Sequence, residues 1–280
     1  PRPFPAAAAP VIVGSALSYV DWSFRLGPAL AALLAALLLQ IGANIANDVF
    51  DFRRGADTSA RLGPLRVTQA GFLRPEQALR GMWLVFGLAA LLGVYLTAVA
   101  GWPVLLIGLL SIAAAIAYTG GPFPLGYYGL GDFFVFLFFG VAAVCGTYFV
   151  QVGKVSAAAG WASLPMGLLI TAILVVNNLR DIETDRAVGK HTLAVRLGAK
   201  GAKVEYILCL VGAYFAPLAM AFFDVVSPWG LLAWLSGPLA IRMVKLVLHE
   251  QGRPLNRALA GTGQLVLWFG VLFSLGLVLG

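Results

Sequence analysis

Charged residues are scarce in this sequence. Asp, Glu, Lys and Arg make up 11% of its 280 residues and hydrophobic residues make up 60%, whereas about a quarter of the residues of a soluble domain are charged. This composition excludes a soluble globular protein and a disordered chain. The 33 glycines follow no period, which excludes a collagen-like fibre, and the apolar runs are continuous rather than alternating, which excludes a transmembrane barrel. The remaining class is an all-α polytopic membrane protein.

Cysteine and histidine are also rare. Cys145 and Cys209 lie in separate apolar runs and are predicted to be packing residues, while His191 and His249 show no metal-ligand spacing. The sequence therefore gives no indication of a metal site with Cys or His ligands. The 19 Lys and Arg against 12 Asp and Glu are typical of a membrane protein with a cytoplasmic face, and we predict no nucleic-acid partner.

Apolar windows long enough to cross a bilayer recur along the chain. A helix needs about 20 residues to cross the hydrocarbon layer. We predict nine spans within a single domain, residues 1–280, that forms a bundle around a central cavity. The windows are 6–24, 28–48, 80–100, 102–119, 131–151, 161–179, 204–223, 228–246 and 261–279.

The distribution of Lys and Arg predicts the orientation. With nine spans, every Lys and Arg except Arg25 and Lys154 falls on the side of the N-terminus. The positive-inside rule then places the N-terminus in the cytoplasm and the C-terminus outside. All acidic residues except Asp21 and Asp224 lie on that same side, although the rule predicts no enrichment of carboxylates there.

Two of the predicted helices end in similar polar clusters. The second ends in Asn47-Asp48-Val-Phe-Asp51-Phe-Arg-Arg-Gly-Ala-Asp57, and the sixth ends in Asn177-Asn178-Leu-Arg180-Asp181-Ile-Glu-Thr-Asp185. In each cluster Asn and Asp recur at a spacing of four, which puts them on one helix face. The match between the two halves suggests an internal repeat with one carboxylate cluster in each half.

Clustered carboxylates near a membrane predict a bound cation, because like charges packed together repel each other. Oxygen ligands from Asp and Asn suit Mg²⁺ or Ca²⁺, and Mg²⁺ commonly bridges carboxylates to substrate phosphates. Arg66, Arg180 and Lys190 flank the clusters and can bind phosphate oxygens. Such a site beneath an apolar bundle suits a long hydrocarbon with a diphosphate head.

Two other interpretations fit the same pattern. The charged helix ends could be solvated loops that form surface ion pairs. Alternatively, the Asp residues could form the cation site of a transporter, although such sites usually lie near the bilayer midplane on broken helices, whereas these clusters continue into loops.

The segment Tyr118-Thr-Gly120-Gly121-Pro122 lies between the fourth and fifth predicted helices. It could be a simple turn with an interfacial tyrosine. The functional interpretation is a loop that covers the polar cavity, with the ring of Tyr118 stabilising a nearby cation.

Taken together and in order, these motifs resemble the UbiA superfamily of intramembrane aromatic prenyltransferases. The resemblance covers nearly the whole chain, and five residues separate Asp51 from Asp57, as in its dihydroxynaphthoate-prenylating branch of menaquinone synthesis; hydroxybenzoate-prenylating members typically have three. The further segments that carry it are Pro64-Leu-Arg66-Val-Thr68-Gln69, Leu130-Gly131-Asp132, Gly146-Thr-Tyr148 and Gly189-Lys190-His-Thr192-Leu193-Ala-Val-Arg196-Leu-Gly198.

This resemblance implies transfer of a polyprenyl group from polyprenyl diphosphate to 1,4-dihydroxy-2-naphthoate, with loss of pyrophosphate and CO₂, to give demethylmenaquinone. Hydroxybenzoate and homogentisate are the alternative acceptors. It also implies a bacterial or archaeal cytoplasmic membrane as the location, lipid around the bundle and an active site facing the cytoplasm. The implied Mg²⁺ ligands are Asn47, Asp48, Asp51, Asp57, Asp181 and Asp185; the implied diphosphate-binding residues are Arg66, Asn177, Arg180 and Lys190; and the implied catalytic residues are Asp51, Asp181 and Tyr118.

Overall fold

The structure is a computed structural model that describes residues 4–56 and 61–280. Within these ranges the chain is helical and contains no strand, which confirms the all-α prediction. The long helical segments are α1 (Phe4–Val20), α2 (Leu26–Arg53), α3 (Pro75–Ala100), α4 (Trp102–Ala117), α5 (Gly131–Val152), α6 (Ala157–Arg180), α7 (Leu193–Phe222), α8 (Pro228–His249) and α9 (Leu255–Leu279).

In the described ranges, seven of these segments are long and apolar enough to cross a membrane. The protein is therefore an integral membrane protein. The other two, α1 and α4, are apolar helices of 17 and 16 residues. They lie at the first and fourth predicted windows, so the count of nine spans stays a prediction.

Three segments differ from the simple spans that the sequence predicts. The helix of α5 contains a π-helical stretch, Phe136–Ala142, and α8 opens with a 3₁₀ stretch, Pro228–Ser236. The segment α7 begins at Leu193, well before the predicted window, because Thr192 caps it by accepting a hydrogen bond from the Val195 N–H. The predicted window begins later because Arg196, Lys200 and Lys203 lie in the first turns of this segment, and Gly198, with non-helical backbone angles (φ 70°, ψ 175°), breaks the segment near its start.

The helix α6 lies at the centre of the bundle. In its most apolar stretch 67% of the residues are buried inside the protein, against 28% for α2 and 22% for α3. It packs on α5, α7 and α9, with buried residues such as Ala162, Met166 and Leu169 in the main core. The C-terminal end of this rigid helix therefore provides a fixed support for polar residues.

Glycines allow α5 and α6 to approach closely. A Cβ atom added to Gly140 would lie 2.6 Å from the Cα of Gly167, closer than packed atoms can come. Small residues at such crossings are common in membrane helix packing.

We therefore expect Gly140→Ala to destabilise the protein by about 1–3 kcal/mol, the usual cost of overpacking. The matched control is Gly160→Ala in α6, where an added Cβ meets nothing within 4 Å. Thermal unfolding in detergent should show a lower melting temperature for Gly140→Ala only. Equal melting temperatures for the two variants would contradict the close crossing.

Candidate active site

The loops that follow α2, α4 and α6 meet at the C-terminal ends of α2 and α6. The carboxylate of Asp48 accepts hydrogen bonds from the backbone N–H groups of Val67 (3.0 Å) and Thr68 (3.4 Å), so it holds the loop that follows α2. The side-chain oxygen of Asn47 accepts a hydrogen bond from the Thr119 hydroxyl at 3.0 Å, which fixes the loop after α4. The first polar cluster therefore organises two of the three loops.

Asp51 lies one turn after Asn47 and is buried. Its side chain is 5% exposed; one oxygen accepts a hydrogen bond from the Tyr127 hydroxyl at 2.9 Å, and the other lies 3.3 Å from the guanidinium of Arg66. A carboxylate can be buried in this way because both of its oxygens have partners.

The second cluster is built around Arg180, whose side chain is 1% exposed. Its guanidinium donates to both carboxylate oxygens of Asp181 (2.8 and 2.5 Å), to Asn177 (2.9 Å) and to Asn256 (2.8 Å). The amide of Asn256 in turn donates to the backbone carbonyl of Leu62 at 2.9 Å. Arg180 therefore ties the end of α6 to the start of α9 and to the loop after α2.

The ring of Tyr127 connects the two clusters. Arg54 and the Nζ of Lys190 lie 5.3 and 5.2 Å from its centroid, within the range of cation–π attraction. Lys190 also lies 3.8 Å from Asp185. A continuous path of contacts thus runs from Asp51 through Tyr127 and Lys190 to Asp185, so the two predicted clusters share one site.

Burial and like charge raise the pKa values of the groups in this site. Burial, opposed by Lys190 and assisted by the carboxylates of Asp181 and Asp51, raises the pKa of Asp185 from 3.8 to about 6. Burial and the bound Asp51 raise the pKa of the Tyr127 phenol. Burial therefore disfavours the ionised form of Asp185, and a bound cation would favour it.

Tyr118 lies beneath the loop that joins α4 to α5. Its carbonyl accepts a hydrogen bond from the Gly126 N–H at 2.8 Å, and its hydroxyl lies 2.9 Å from the position that a Cβ on Gly131 would occupy. Burial and the carboxylates of Asp132, Asp51 and Asp185 raise the pKa of its phenol. The phenol of Tyr118 therefore stays protonated.

The donor set suits a hard cation. Within residues 4–56 and 61–280 no three Asp, Glu, His or Cys side chains form a ready metal site, and Asp57 lies outside the described residues. Mg²⁺ is commonly held by one or two carboxylates together with substrate phosphates, rather than by a complete protein cage. Carboxylate and amide oxygens from both clusters therefore fit Mg²⁺, and the individual ligands stay predictions.

Sequence reasoning did not single out Tyr127, Thr119 or Asn256. Tyr127 lies within the Gly126-Tyr-Tyr-Gly129 segment, whose two glycines signal a turn but do not show which tyrosine points inward. Asn256 is remote from both clusters in sequence. Their hydrogen-bond partners lie far away in the sequence, so only the folded structure shows these contacts.

The fold and the site together define an integral membrane protein with a polar, carboxylate-rich site at one end of an apolar helical bundle. Residues 7–259 match the UbiA prenyltransferase family, and the chain belongs to that family. Membership of a prenyltransferase family favours a transferase over the cation transporter that the carboxylate clusters alone left open.

The chain is similar over its full length to curated members of the family. It is 39% identical to the 1,4-dihydroxy-2-naphthoate octaprenyltransferase of Escherichia coli, covering 100% of this chain and 93% of that one. It is 33% identical to the protein of the same name from Bacillus subtilis, covering 100% and 90%.

Solved structures share the fold at lower identity. A UbiA homolog from Aeropyrum pernix superposes with a TM-score of 0.75 at 17% identity, covering 99% of this chain and 97% of that one. A UbiA homolog from Archaeoglobus fulgidus bound to GPP and Mg²⁺ superposes with a TM-score of 0.69 at 14% identity, covering 100% and 97%.

Proposed function

We propose that the protein transfers a polyprenyl group from polyprenyl diphosphate to 1,4-dihydroxy-2-naphthoate, releasing pyrophosphate and CO₂ and forming demethylmenaquinone in its reduced, quinol form. The observation that carries this proposal is 33–39% identity over the full chain to relatives from four bacteria that bear the dihydroxynaphthoate name. The spacing of Asp51 and Asp57 supports the same acceptor.

The diphosphate would bind where the two clusters meet. Asp48, Asp51, Asp181 and Asp185, with Asn47 and Asp57, would hold Mg²⁺, a cation that the Archaeoglobus fulgidus structure contains together with GPP. Bound there, Mg²⁺ would supply positive charge opposite the leaving pyrophosphate.

The basic residues would divide the remaining work. Lys190 and Arg66 have partly accessible side chains, 15% and 19% exposed, and would contact the phosphate oxygens directly. Arg180 donates hydrogen bonds to Asp181, Asn177 and Asn256 and would act by holding Asp181 in place.

Prenyl transfer breaks the bond between the allylic carbon and the diphosphate oxygen, which keeps the electron pair. The ring of Tyr118 would stabilise the allylic cation, and the apolar helices would exclude water from it. The carboxylated carbon of the naphthoate forms the new bond to the allylic carbon. The carboxylate then leaves as CO₂, and its bonding electrons restore the aromatic ring.

The proposal includes nine membrane spans with the site on the cytoplasmic side. All Lys and Arg apart from Arg25 and Lys154 lie on that side when α1 and α4 also cross the membrane. The chain would then form one domain with lipid around it.

Tyr127→Phe is expected to weaken Mg²⁺-dependent activity without unfolding the protein. The change removes the hydrogen bond to Asp51 but keeps the ring that faces Arg54 and Lys190. Loss of a group that orients a metal ligand typically costs about 10- to 100-fold in metal affinity or activity. A titration of the initial rate with Mg²⁺ should shift to higher concentration by this factor.

The matched control is Tyr128→Phe, whose ring stacks on Phe123. This variant should titrate like the wild type. An unshifted titration for Tyr127→Phe would remove the orienting role of its hydroxyl.

An acceptor comparison tests the proposed function. Purified protein in detergent, supplied with farnesyl diphosphate and Mg²⁺, should prenylate dihydroxynaphthoate and form a product that lacks the mass of the carboxylate. Preferred prenylation of hydroxybenzoate or homogentisate would overturn the acceptor assignment, and no prenylation of any of the three would overturn the proposed transferase activity.

A further inference from the structure

Asp132, at the start of α5, has a buried carboxylate that finds no hydrogen-bond partner among the residues that the structure describes. The residue is 9% exposed, and neither of its two carboxylate oxygens has a hydrogen-bond partner in the described part of the chain. Asp48, Asp51, Asp181 and Asp185 all have partners (above). A buried acceptor without a donor is destabilising, and more so when it is charged, so such a group calls for an explanation.

The protein groups that face Asp132 do not supply a cation. Tyr118, Glu205 and Cys209 lie near enough for its charge to act on them, and the described residues place no Lys or Arg in an ion pair with it. Because Glu205 can carry a second negative charge, the neighbours increase the need for a donor. No group among the described residues therefore provides the missing partner, and a bound substrate could.

The position of Asp132 points to the reacting part of the substrates. The adjacent Gly131 packs against the Tyr118 hydroxyl and against Leu174, at 2.9 and 3.3 Å from its constructed Cβ. Leu174 precedes Asp181 by two turns of α6, about 10 Å at the helical rise, so Asp132 lies deeper in the bundle than the diphosphate site. Tyr118 lies near enough to Asp132, Asp51 and Asp185 for all three charges to act on its phenol. The allylic carbon of the donor would lie beside its ring.

We propose that Asp132 binds the aromatic acceptor by accepting a hydrogen bond, and then the proton, from the hydroxyl next to the carboxylated carbon. This inference rests on the proposed function and adds the acceptor side of the site. An ionised carboxylate only accepts hydrogen bonds, and a dihydroxynaphthoate brings hydroxyl donors. The carboxylate of Asp132 would thus gain the partner that the described residues do not provide.

The proton transfer balances with the prenyl transfer. As the hydroxyl proton moves to Asp132, its oxygen becomes a carbonyl, and the displaced electrons form the bond from the carboxylated carbon to the allylic carbon. Loss of CO₂ returns an electron pair to the ring. The carbonyl oxygen then takes the proton back from Asp132, which restores the hydroxyl and the ionised carboxylate.

The first test is Asp132→Asn, which keeps the volume but removes the proton acceptor. We expect the kcat/KM for dihydroxynaphthoate to fall by at least about 100-fold, the lower range for a lost general base. Binding of farnesyl diphosphate with Mg²⁺, measured without the acceptor, should stay within about twofold of the wild type. The control Asp224→Asn makes the same chemical change at an exposed site and should match the wild type in both measurements.

A second substrate separates a role on the hydroxyl from a structural role. In 4-hydroxy-1-methoxy-2-naphthoate the hydroxyl next to the carboxylated carbon carries a methyl group and has no proton to give. The wild type should use this ether at least about 100-fold less well than dihydroxynaphthoate, and Asp132→Asn should lower its use by less than about threefold. A merely structural role would lower the use of both acceptors equally.

The outcomes are distinguishable. If the wild type fails to prenylate dihydroxynaphthoate, the proposed function is overturned and the acceptor role of Asp132 with it. If the wild type is active and Asp132→Asn keeps its kcat/KM within twofold, only the role of Asp132 is overturned. If Asp132→Asn does not fold, the wild type alone decides the question. Equal use of the ether and of dihydroxynaphthoate would show that the hydroxyl proton is not needed, which overturns the role of Asp132.

Discussion

Asp51→Asn is expected to abolish prenyl transfer while the protein stays folded. The amide has nearly the same volume as the carboxylate and can still accept a hydrogen bond from Tyr127, but it removes the negative charge that would hold Mg²⁺. Losing one stabiliser of the charge that develops in a transition state costs about 10²–10³-fold in kcat, and the loss here should reach at least about 10³-fold. Pyrophosphate release under saturating substrates measures it.

The control for this variant is Glu76→Gln, the same chemical change at an exposed position at the start of α3. It should retain the wild-type rate. Wild-type turnover in Asp51→Asn would contradict the assignment of the metal site. Asp181→Asn should also abolish turnover, but it is a less selective test because Asp181 pairs with buried Arg180.

Arg180→Met is expected to have the largest effect on stability. It leaves Asp181, whose side chain is only 14% exposed, without its counterion, and it removes the donors to Asn177 and Asn256. Breaking a buried ion pair by removing one partner typically costs about 3–5 kcal/mol. The free energy of unfolding in mixed micelles, or the melting temperature in detergent, should report this loss.

The double variant Arg180→Met with Asp181→Asn tests the cause of that loss. It removes both charges, so no uncompensated charge remains buried, and it should recover a substantial part of the lost stability. If the double variant is as unstable as the sum of the two single variants, the ion pair is not the reason for the effect.

The sequence was sufficient to predict much of the helical architecture and the two polar clusters. The spacing of four correctly places Asn47 and Asp51 on one face of α2, because the helical repeat is a local property. The same prediction was wrong for the second cluster, because α6 ends at Arg180, Asp181 caps it, and Asp185 lies in a separate short helix, Ile182–Ala187. The length of the apolar runs predicted the membrane segments, because a helix needs about 20 apolar residues to cross the bilayer. Asp48 is a member of the first cluster, Arg66 and Lys190 were predicted because their charges flank the clusters, and the structure places all three beside Asp51, Tyr127 or Asp185 or on the adjoining loop.

The contacts between loops could not be predicted. The bond from Tyr127 to Asp51 joins residues that are 76 positions apart, and the bond from Arg180 to Asn256 joins residues that are also 76 apart. Such pairs depend on how helices pack and not on a local pattern. Asp132 was part of a recognised motif, but its lack of a partner is a property of its folded surroundings.

The most direct test of the account follows the carboxylate carbon of the acceptor. The wild-type protein would be incubated with farnesyl diphosphate, Mg²⁺ and dihydroxynaphthoate labelled in its carboxylate, and pyrophosphate, labelled CO₂ and prenylated product would be quantified together. We expect pyrophosphate, labelled CO₂ and prenylated product to form in equal amounts, and none of them to form in the presence of EDTA. A prenylated product that retains the label, or product formation that is insensitive to EDTA, would contradict it.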